Sequence, residues 1–171
     1  MNRKKLDAEA LWKYALKALA QRAHSADELR RKLARRAASE QDLRAAVAKI
    51  SEYGMADDRR FAESFSSSRL QNHGFGKMRV LRDLRLRSVP AKVAEDAVRK
   101  TFDGVDEQDL IARFLERKYR GKNLPELLSE PKHLASAYRR LRMAGFSSGG
   151  AVAALKRYAA AADELSDPEP E

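Results

Sequence analysis

The chain has 171 residues and no cysteine, so disulfides, thiolate nucleophiles and cysteine metal sites are excluded. It carries 35 Lys and Arg against 25 Asp and Glu, and the net charge of +10 favours contact with nucleic acid, an anionic membrane or an acidic protein surface. The 29 alanines outnumber the ten Ile, Val and Thr residues, which favours helices over strands, and no apolar run approaches the ~20 residues of a membrane span. We therefore expect an all-α cytoplasmic protein that does not enter a membrane.

Three amphipathic helices are predicted between residues 11 and 50. Ser25 and Glu28 have the spacing of a capping box, in which the hydroxyl and the carboxylate each accept a backbone N–H at the start of a helix. Gly54 stands where a left-handed residue would end the third helix. The inward-facing residues form three runs with helical spacing: Leu11, Ala15 and Leu19; Leu29, Leu33 and Ala37; and Leu43, Val47 and Ile50.

A leucine followed four residues later by a small residue recurs along the chain, at Leu33, Leu84 and Leu141, with spacings of 51 and 57 residues. Each leucine lies in an arginine-rich segment that precedes another helical segment. The pattern predicts nine helices in an elongated array of three tandem three-helix repeats, although an Ala/Leu/Arg-rich chain can also resemble itself through composition alone. The predicted parts are a basic N-terminal segment over 1–10, repeats over 11–56, 57–105 and 106–162 with an inserted loop over 121–132, and a disordered acidic tail over 163–171.

Few residues in the chain are suited to catalysis or metal binding. Asp57 and Asp58 stand at a predicted helix start, where carboxylates cap the helix and complement its dipole, and the adjacent arginines would compete with a cation. The three histidines, His24, His73 and His133, are separated by 49 and 60 residues and none has a carboxylate at ligand spacing. We therefore expect no enzyme activity, no metal, no cofactor and no small-molecule substrate.

Gly74 and Gly76 precede a predicted helix and leave two interpretations open. Backbone N–H groups at a helix start bind anions, so a single phosphate of a DNA backbone is one candidate ligand there. No strand precedes the glycines and no Walker lysine follows them, so a plain turn is favoured.

Basic helix faces are the most informative feature of the chain. On a helical wheel centred on Arg82, Val80 and Leu84 fall on the opposite, inward side, while Met78 and Leu86 lie within about 40° of the arginine. Exposed arginine beside exposed apolar residues is typical of protein interfaces, although a merely solvated face is the alternative. The predicted partner-binding or DNA-binding arginines are Arg31, Arg35, Arg79, Arg82, Arg85, Arg139, Arg140 and Arg142, with Met78 and Leu86 as apolar contacts.

The segment from Tyr53 to Phe65, Tyr-Gly-Met-Ala-Asp-Asp-Arg-Arg-Phe-Ala-Glu-Ser-Phe, resembles the signature of the RecX family, the bacterial regulators of the RecA recombinase. Further matching pieces lie upstream and downstream of this segment in the expected order, and the resemblance covers about residues 10 to 160. Ala37 and Ser88 depart from it, because glycine is common at both positions. The positions that carry the resemblance are Tyr53, Asp57, Asp58, Arg59, Phe61, Ala62, Gly74, Gly76, Gly145 and Phe146.

The resemblance implies a protein without a reaction of its own that binds RecA nucleoprotein filaments along their helical groove. Such a protein restrains filament growth, ATP hydrolysis, strand exchange and co-protease activity, which implies a role in homologous recombination, DNA repair and the SOS response. Contact with the DNA phosphate backbone is a second candidate interaction. The alternative functions are a basic helical DNA-binding protein that acts without RecA and a structural scaffold of helical repeats, because arginine suits phosphate oxygens and carboxylates equally well.

Overall fold

A computed structural model describes residues 5–165, and within that range the chain is helical and contains no β-strand. The predicted all-α class is therefore confirmed. One isolated bridge pairs Leu6 with Ala37 just before the first helix. The described part contains ten α-helices: α1 (Ala8–Gln21), α2 (Ala26–Ala34), α3 (Glu40–Glu52), α4 (Asp58–Ser68), α5 (Lys77–Leu86), α6 (Ala91–Thr101), α7 (Glu107–Lys118), α8 (Leu124–Leu128), α9 (Pro131–Met143) and α10 (Ser148–Lys156). A π-helical turn, Arg69–His73, extends α4, and a 3₁₀-helix, Ala160–Glu164, follows α10.

The chain divides into two compact units. One unit comprises Met1–Phe65 and Asp83–Ala97, and the other comprises Ser66–Arg82 and Val98–Glu171. Helices α4, α5 and α6 each contribute residues to both units. The division into three repeats stays a prediction from the sequence.

The core of the first unit comes from the predicted inward faces of α1, α2 and α3. Ser25 caps α2, because its hydroxyl accepts the Glu28 N–H at 3.1 Å. The Glu28 carboxylate does not complete the capping box, since it pairs with the Arg22 guanidinium at 2.5 Å instead. Helical periodicity thus located the buried face correctly, with Leu19 and Val47 only partly buried. The buried hydrophobic residues that α1, α2, α3 and the segment between α2 and α3 contribute are Leu11, Ala15, Ala18, Leu29, Leu33, Ala37, Leu43, Ala46 and Ile50.

The core of the second unit forms around α7, α9 and α10. Its central aromatic contact is an edge-to-face pair of Phe114 and the fully buried Phe146, with ring centroids 5.5 Å apart. The Tyr138 hydroxyl, which is also buried, hydrogen-bonds Ser148 at 2.7 Å. The other large buried side chains of this cluster are Ile111, Leu115, Leu128, Leu134, Leu141 and Leu155.

The second unit also contains a close crossing of two glycines. The N–H of Gly76 donates to the carbonyl of Ala144 at 2.8 Å, and the N–H of Met78 donates to the carbonyl of Gly145 at 3.2 Å. A Cβ on Gly76 would lie 2.3 Å from the Gly145 carbonyl oxygen, so a side chain cannot be added there without moving the backbone. We call this contact, formed by Gly76 and Gly145, the glycine crossing. It joins the start of α5 to the end of α9.

Two segments differ from the prediction. The predicted inserted loop over 121–132 contains the short helix α8, which forms because Leu128 is fully buried in the second unit, and the described residues therefore hold ten α-helices and not nine. The tail predicted to be disordered from Asp163 onward is ordered over its first residues, since Ala162 is buried, Asp163 pairs with Lys156 and Leu165 packs on the core. Residues 166–171 of the tail and residues 1–4 of the basic N-terminal segment lie outside the described residues.

Ser88 is the one non-glycine residue with a positive φ among the described residues, at 57°. The left-handed region costs an L-residue about 1–2 kcal/mol, and glycine avoids this cost but loses more entropy on folding, about 0.5–1 kcal/mol. Ser88→Gly and Ser88→Ala both lose the hydroxyl that accepts a bond from Arg31, and only the glycine removes the backbone cost. We therefore expect the free energy of unfolding of Ser88→Gly to exceed that of Ser88→Ala by about 0.5–1 kcal/mol in urea denaturation. An equal response of the two variants would contradict a backbone cause.

Candidate functional site

Two of the eight predicted arginines bind the protein itself. The Arg79 guanidinium donates to the carbonyl of Met143 at 3.1 Å and lies over the Phe75 ring at 4.5 Å, and the side chain is half-buried. Arg142, also half-buried, donates to the carbonyl of Phe146. Both residues satisfy backbone carbonyls near the end of α9, where a helix presents its negative pole. Their position indicates a role in stabilising the second unit.

Two further arginines form exposed ion pairs. Arg31 pairs with Asp27 at 2.9 Å, and Arg85 pairs with Glu95 at 3.2 Å. Exposed ion pairs contribute only about 0–1 kcal/mol, so a carboxylate or phosphate of a partner could replace either acid at little cost. These arginines are therefore available for binding, although each already has a competing group.

The other four, Arg35, Arg82, Arg139 and Arg140, are exposed. Within residues 5–165 none of their guanidinium groups has a hydrogen bond or an ion pair. An exposed and unpaired guanidinium presents its full set of donors to an incoming carboxylate or phosphate. We call these four residues the free arginines. The structure places Arg35 in the first unit and the other three in the second.

Exposed apolar side chains accompany the free arginines. Met78 is 60% exposed and Leu86 is 75% exposed, as expected from the helical wheel of α5. Met143, which the sequence analysis missed, is 65% exposed. The exposure of Met143 could have been predicted from the sequence. On a helical wheel of α9 it lies about 200° from the buried Leu141 and falls between Arg139 and Arg140. The face of α9 that carries both free arginines therefore also carries an exposed methionine.

At Gly74 and Gly76 the structure favours the turn over the phosphate site. The N–H groups of Gly76 and Met78 at the start of α5 already donate to the carbonyls of Ala144 and Gly145 in the glycine crossing. Gly74 has φ 61° and ends the π-helical turn, so its role is conformational. No N–H of Gly76 or Met78 is left for an anion, because the negative end of α9 occupies that place.

Asp57 and Asp58 are helix caps. The Asp57 carboxylate accepts the N–H groups of Arg59 at 2.9 Å and Arg60 at 3.1 Å at the start of α4. Asp58 accepts the N–H of Ala26 at 2.8 Å at the start of α2. Across residues 5–165 no group of three or more acidic or histidine side chains is arranged to hold a metal ion.

The three histidines lie in separate surroundings. His24 is buried and donates through Nδ1 to the carbonyl of Arg22 at 2.9 Å, and its burial lowers its pKa. His73 stacks on Phe75, with ring centroids 5.2 Å apart, and His133 contacts the Glu130 carboxylate at 3.3 Å. A hydrogen bond from Arg22 lowers the pKa of Glu28 near His24. None of these contacts pairs a histidine with a nucleophile.

Curated relatives of this chain share a name. A "Regulatory protein RecX" of Pseudomonas fluorescens is 33% identical over 113 residues, which cover 66% of this chain and 71% of the relative. Another, of Stenotrophomonas maltophilia, is 33% identical over 144 residues, which cover 84% of this chain and 83% of the relative. The chain belongs to the RecX family.

The RecX assignment agrees with two further comparisons. The family profile described as "RecX, second three-helix domain" matches residues 57–98. The crystal structure of RecX from Lactobacillus salivarius has a TM-score of 0.66 at 17% identity and covers 93% of this chain and 98% of that chain. The helical-repeat fold of this RecX protein is therefore confirmed. Among its described residues no helix is long and apolar enough to cross a membrane.

The positions that carry the RecX resemblance are largely structural in this chain. Phe61, Ala62 and Phe146 are buried, and the two glycines Gly76 and Gly145 form the glycine crossing. Tyr53 and Arg59 are exposed, and the Tyr53 ring lies 5.4 Å from that of Trp12. The family signature thus identifies residues that build the RecX fold, whereas the free arginines lie outside it.

Proposed function

We propose that this RecX-family protein binds RecA nucleoprotein filaments and inhibits their ATP hydrolysis, strand exchange and co-protease activity, without a reaction of its own. The family consists of proteins named as regulators, which supports a binding role. RecA as the partner is part of the proposal and rests on the resemblance to that family.

The free arginines are the observation that carries the proposal. A net charge of +10 accelerates encounter with an acidic partner, and unpaired guanidinium groups then bind carboxylates or phosphates with two donors each. The exposed Met78 and Met143 add apolar contact area beside these charges, and both Arg and Met are enriched at protein interfaces. This protein, held by such contacts along the filament, would oppose the rearrangements of RecA subunits that accompany ATP hydrolysis.

A DNA-binding protein that acts without RecA is the second candidate function, because the free arginines suit DNA phosphates equally well. The two candidates differ in what excess DNA does. A protein that binds only DNA is titrated away by added naked DNA, whereas a protein that binds RecA subunits stays with the filament.

The test is DNA-stimulated ATP hydrolysis by RecA in the presence of substoichiometric amounts of this protein. We expect the hydrolysis rate to fall, and we expect the fall to persist when naked single-stranded DNA is added in excess over RecA. Bovine serum albumin at the same concentration is the control for nonspecific loss. An unchanged rate, or full recovery on adding DNA, would contradict binding to the filament.

A further inference from the structure

A pocket of about 260 Å³ opens in the second unit, between the start of α5 and the start of α7. Its apolar lining includes Phe102 and Phe146, both of which are buried, together with Val105 and Leu110. None of the free arginines lines the pocket, and Met78 is the one residue of the proposed contact surface that does.

The two charged side chains that line the pocket differ in their hydrogen bonding. The Glu107 carboxylate accepts the Ser147 N–H at 2.8 Å and the Ser147 hydroxyl at 2.5 Å, so both of its oxygens are engaged. Lys77 is exposed and has no hydrogen bond or ion pair among the described residues. Met78, 60% exposed, also lines the pocket. The accessible part of the lining therefore offers one free ammonium group and one flexible thioether.

The size and lining of the pocket restrict its occupant. Sites for small molecules and cofactors usually measure about 300–1,000 Å³, so this pocket is small for such a ligand. Interfaces, in contrast, often concentrate their binding energy in one large apolar side chain that fills a pocket on the other protein. Methionine adapts its shape to an inserted group and interacts favourably with aromatic rings. The pocket therefore suits one aromatic or leucine side chain.

The charged groups near the pocket indicate which residues of the partner lie next to the inserted side chain. Lys77 carries an unpaired positive charge at the pocket, and the free Arg82 lies one turn along α5 from Met78. The Glu107 carboxylate also lines the pocket, but it is bound by Ser147 at the start of α10, where the positive end of the helix offsets its charge. The charges left for residues next to an inserted side chain are therefore those of Lys77 and Arg82, so acidic residues are favoured there. We propose that the pocket receives one aromatic or leucine side chain from an acidic segment of the protein partner, with Lys77 pairing to a neighbouring carboxylate. The identity of that partner as the RecA filament rests on the proposed function.

The pocket can be tested without RecA. The chain has four methionines, and carbon-13 labelling of their methyl groups gives Met78 as a reporter at the pocket, with Met143 and Met55 as reporters elsewhere. The probe is a pentapeptide with a central phenylalanine flanked on each side by two glutamates. We expect it to shift the Met78 methyl resonance through the ring current and to leave the Met143 resonance in place. Absence of a Met78 shift up to millimolar peptide overturns the proposal.

Matched peptides and variants separate the parts of the proposal. A peptide with central alanine should give no Met78 shift, and one with lysines in place of glutamates should bind at least tenfold more weakly. Equal binding of the alanine peptide overturns the apolar anchor, and equal binding of the lysine peptide overturns the acidic segment. Because Met78→Ala removes the reporter methyl group, binding to the variants is measured by fluorescence anisotropy of a dye-labelled phenylalanine peptide. Met78→Ala should weaken that binding at least tenfold, whereas Met143→Ala, which removes a similarly exposed methionine outside the pocket, should change it less than twofold.

The Met78 variant also connects the pocket to RecA. Met78→Ala should require at least tenfold more protein for half-inhibition of RecA ATP hydrolysis than Met55→Ala, which removes an exposed methionine of the first unit. Undiminished inhibition by Met78→Ala overturns the assignment of the pocket to the RecA contact. If the unmodified protein fails to inhibit RecA at all, the proposed function is contradicted, and the peptide titration alone then decides whether the pocket binds an acidic apolar segment.

Discussion

Gly145→Ala is expected to lower the free energy of unfolding by more than about 4 kcal/mol and to prevent stable folding of the second unit. Gly145 has φ 90°, and an added Cβ would lie 2.2 Å from the backbone nitrogen of Arg79 and 2.4 Å from its Cβ. Neither atom can move without opening the glycine crossing. The loss should appear as a lower urea midpoint in far-UV circular dichroism. Fluorescence of Trp12, the single tryptophan, reports the first unit separately.

Gly121→Ala is the matched control for this variant. Gly121 also has a positive φ, 76°, but an added Cβ would meet no atom within 4 Å. Its substitution should therefore cost only the backbone strain, about 1–2 kcal/mol. A similar loss in both variants would show that strain, and not the close approach of two backbones, requires glycine at position 145.

Reversing the three free arginines of the second unit, Arg82, Arg139 and Arg140, to glutamate should abolish inhibition of RecA while the protein stays folded. Exposed substitutions usually change stability by no more than ~0.5 kcal/mol each, whereas like charges facing each other at an interface cost several kcal/mol. We therefore expect the concentration for half-inhibition to rise more than about 100-fold, with a melting temperature close to that of the unmodified protein. Thermal melting and RecA ATP hydrolysis measured on the same preparation test both parts.

A charge-matched control separates the surface from the net charge. Arg120, Lys122 and Lys132 are exposed and belong to the same unit, so their reversal to glutamate changes the total charge by the same amount. That variant should inhibit RecA far better than the first. Equal loss of inhibition in the two variants would mean that only the overall positive field matters, and inhibition by the first variant would exclude these arginines from the contact.

The arginines of α5 were predicted correctly in part. Periodicity along α5 placed Val80 and Leu84 inside and Arg82 outside, and all three positions agree with the structure. The same wheel placed Arg79 on the outer face, yet its guanidinium binds the carbonyl of Met143, 64 residues away. A helical wheel describes one helix in isolation, so it cannot reveal a partner supplied by a distant helix. Reversal of Arg79 would therefore test folding as well as binding.

Other features of the fold also divide into those set by neighbouring residues and those set by distant ones. The capping roles of Asp57 and Ser25 follow from local spacing and were readable from the sequence. The requirement for glycine at Gly76 depends on the position of Gly145, and the order of α8 depends on a place for Leu128 in the core. The local sequence of each segment contains neither piece of information. Features set by neighbouring residues were thus predictable, and features set by tertiary contacts were not.

The interleaved path of the chain has a consequence for synthesis on the ribosome. The first unit needs residues 83–97, and the second unit needs residues 66–82, so the chain supplies part of the second unit before it completes the first. The start of α5 must then wait for Gly145 to emerge before the glycine crossing can close. During that interval Phe75, which packs against the core of the second unit, lacks its final partners, and exposed apolar segments of this kind promote aggregation. A nascent chain stalled between residues 97 and 145 is therefore the form of this protein that most needs a chaperone.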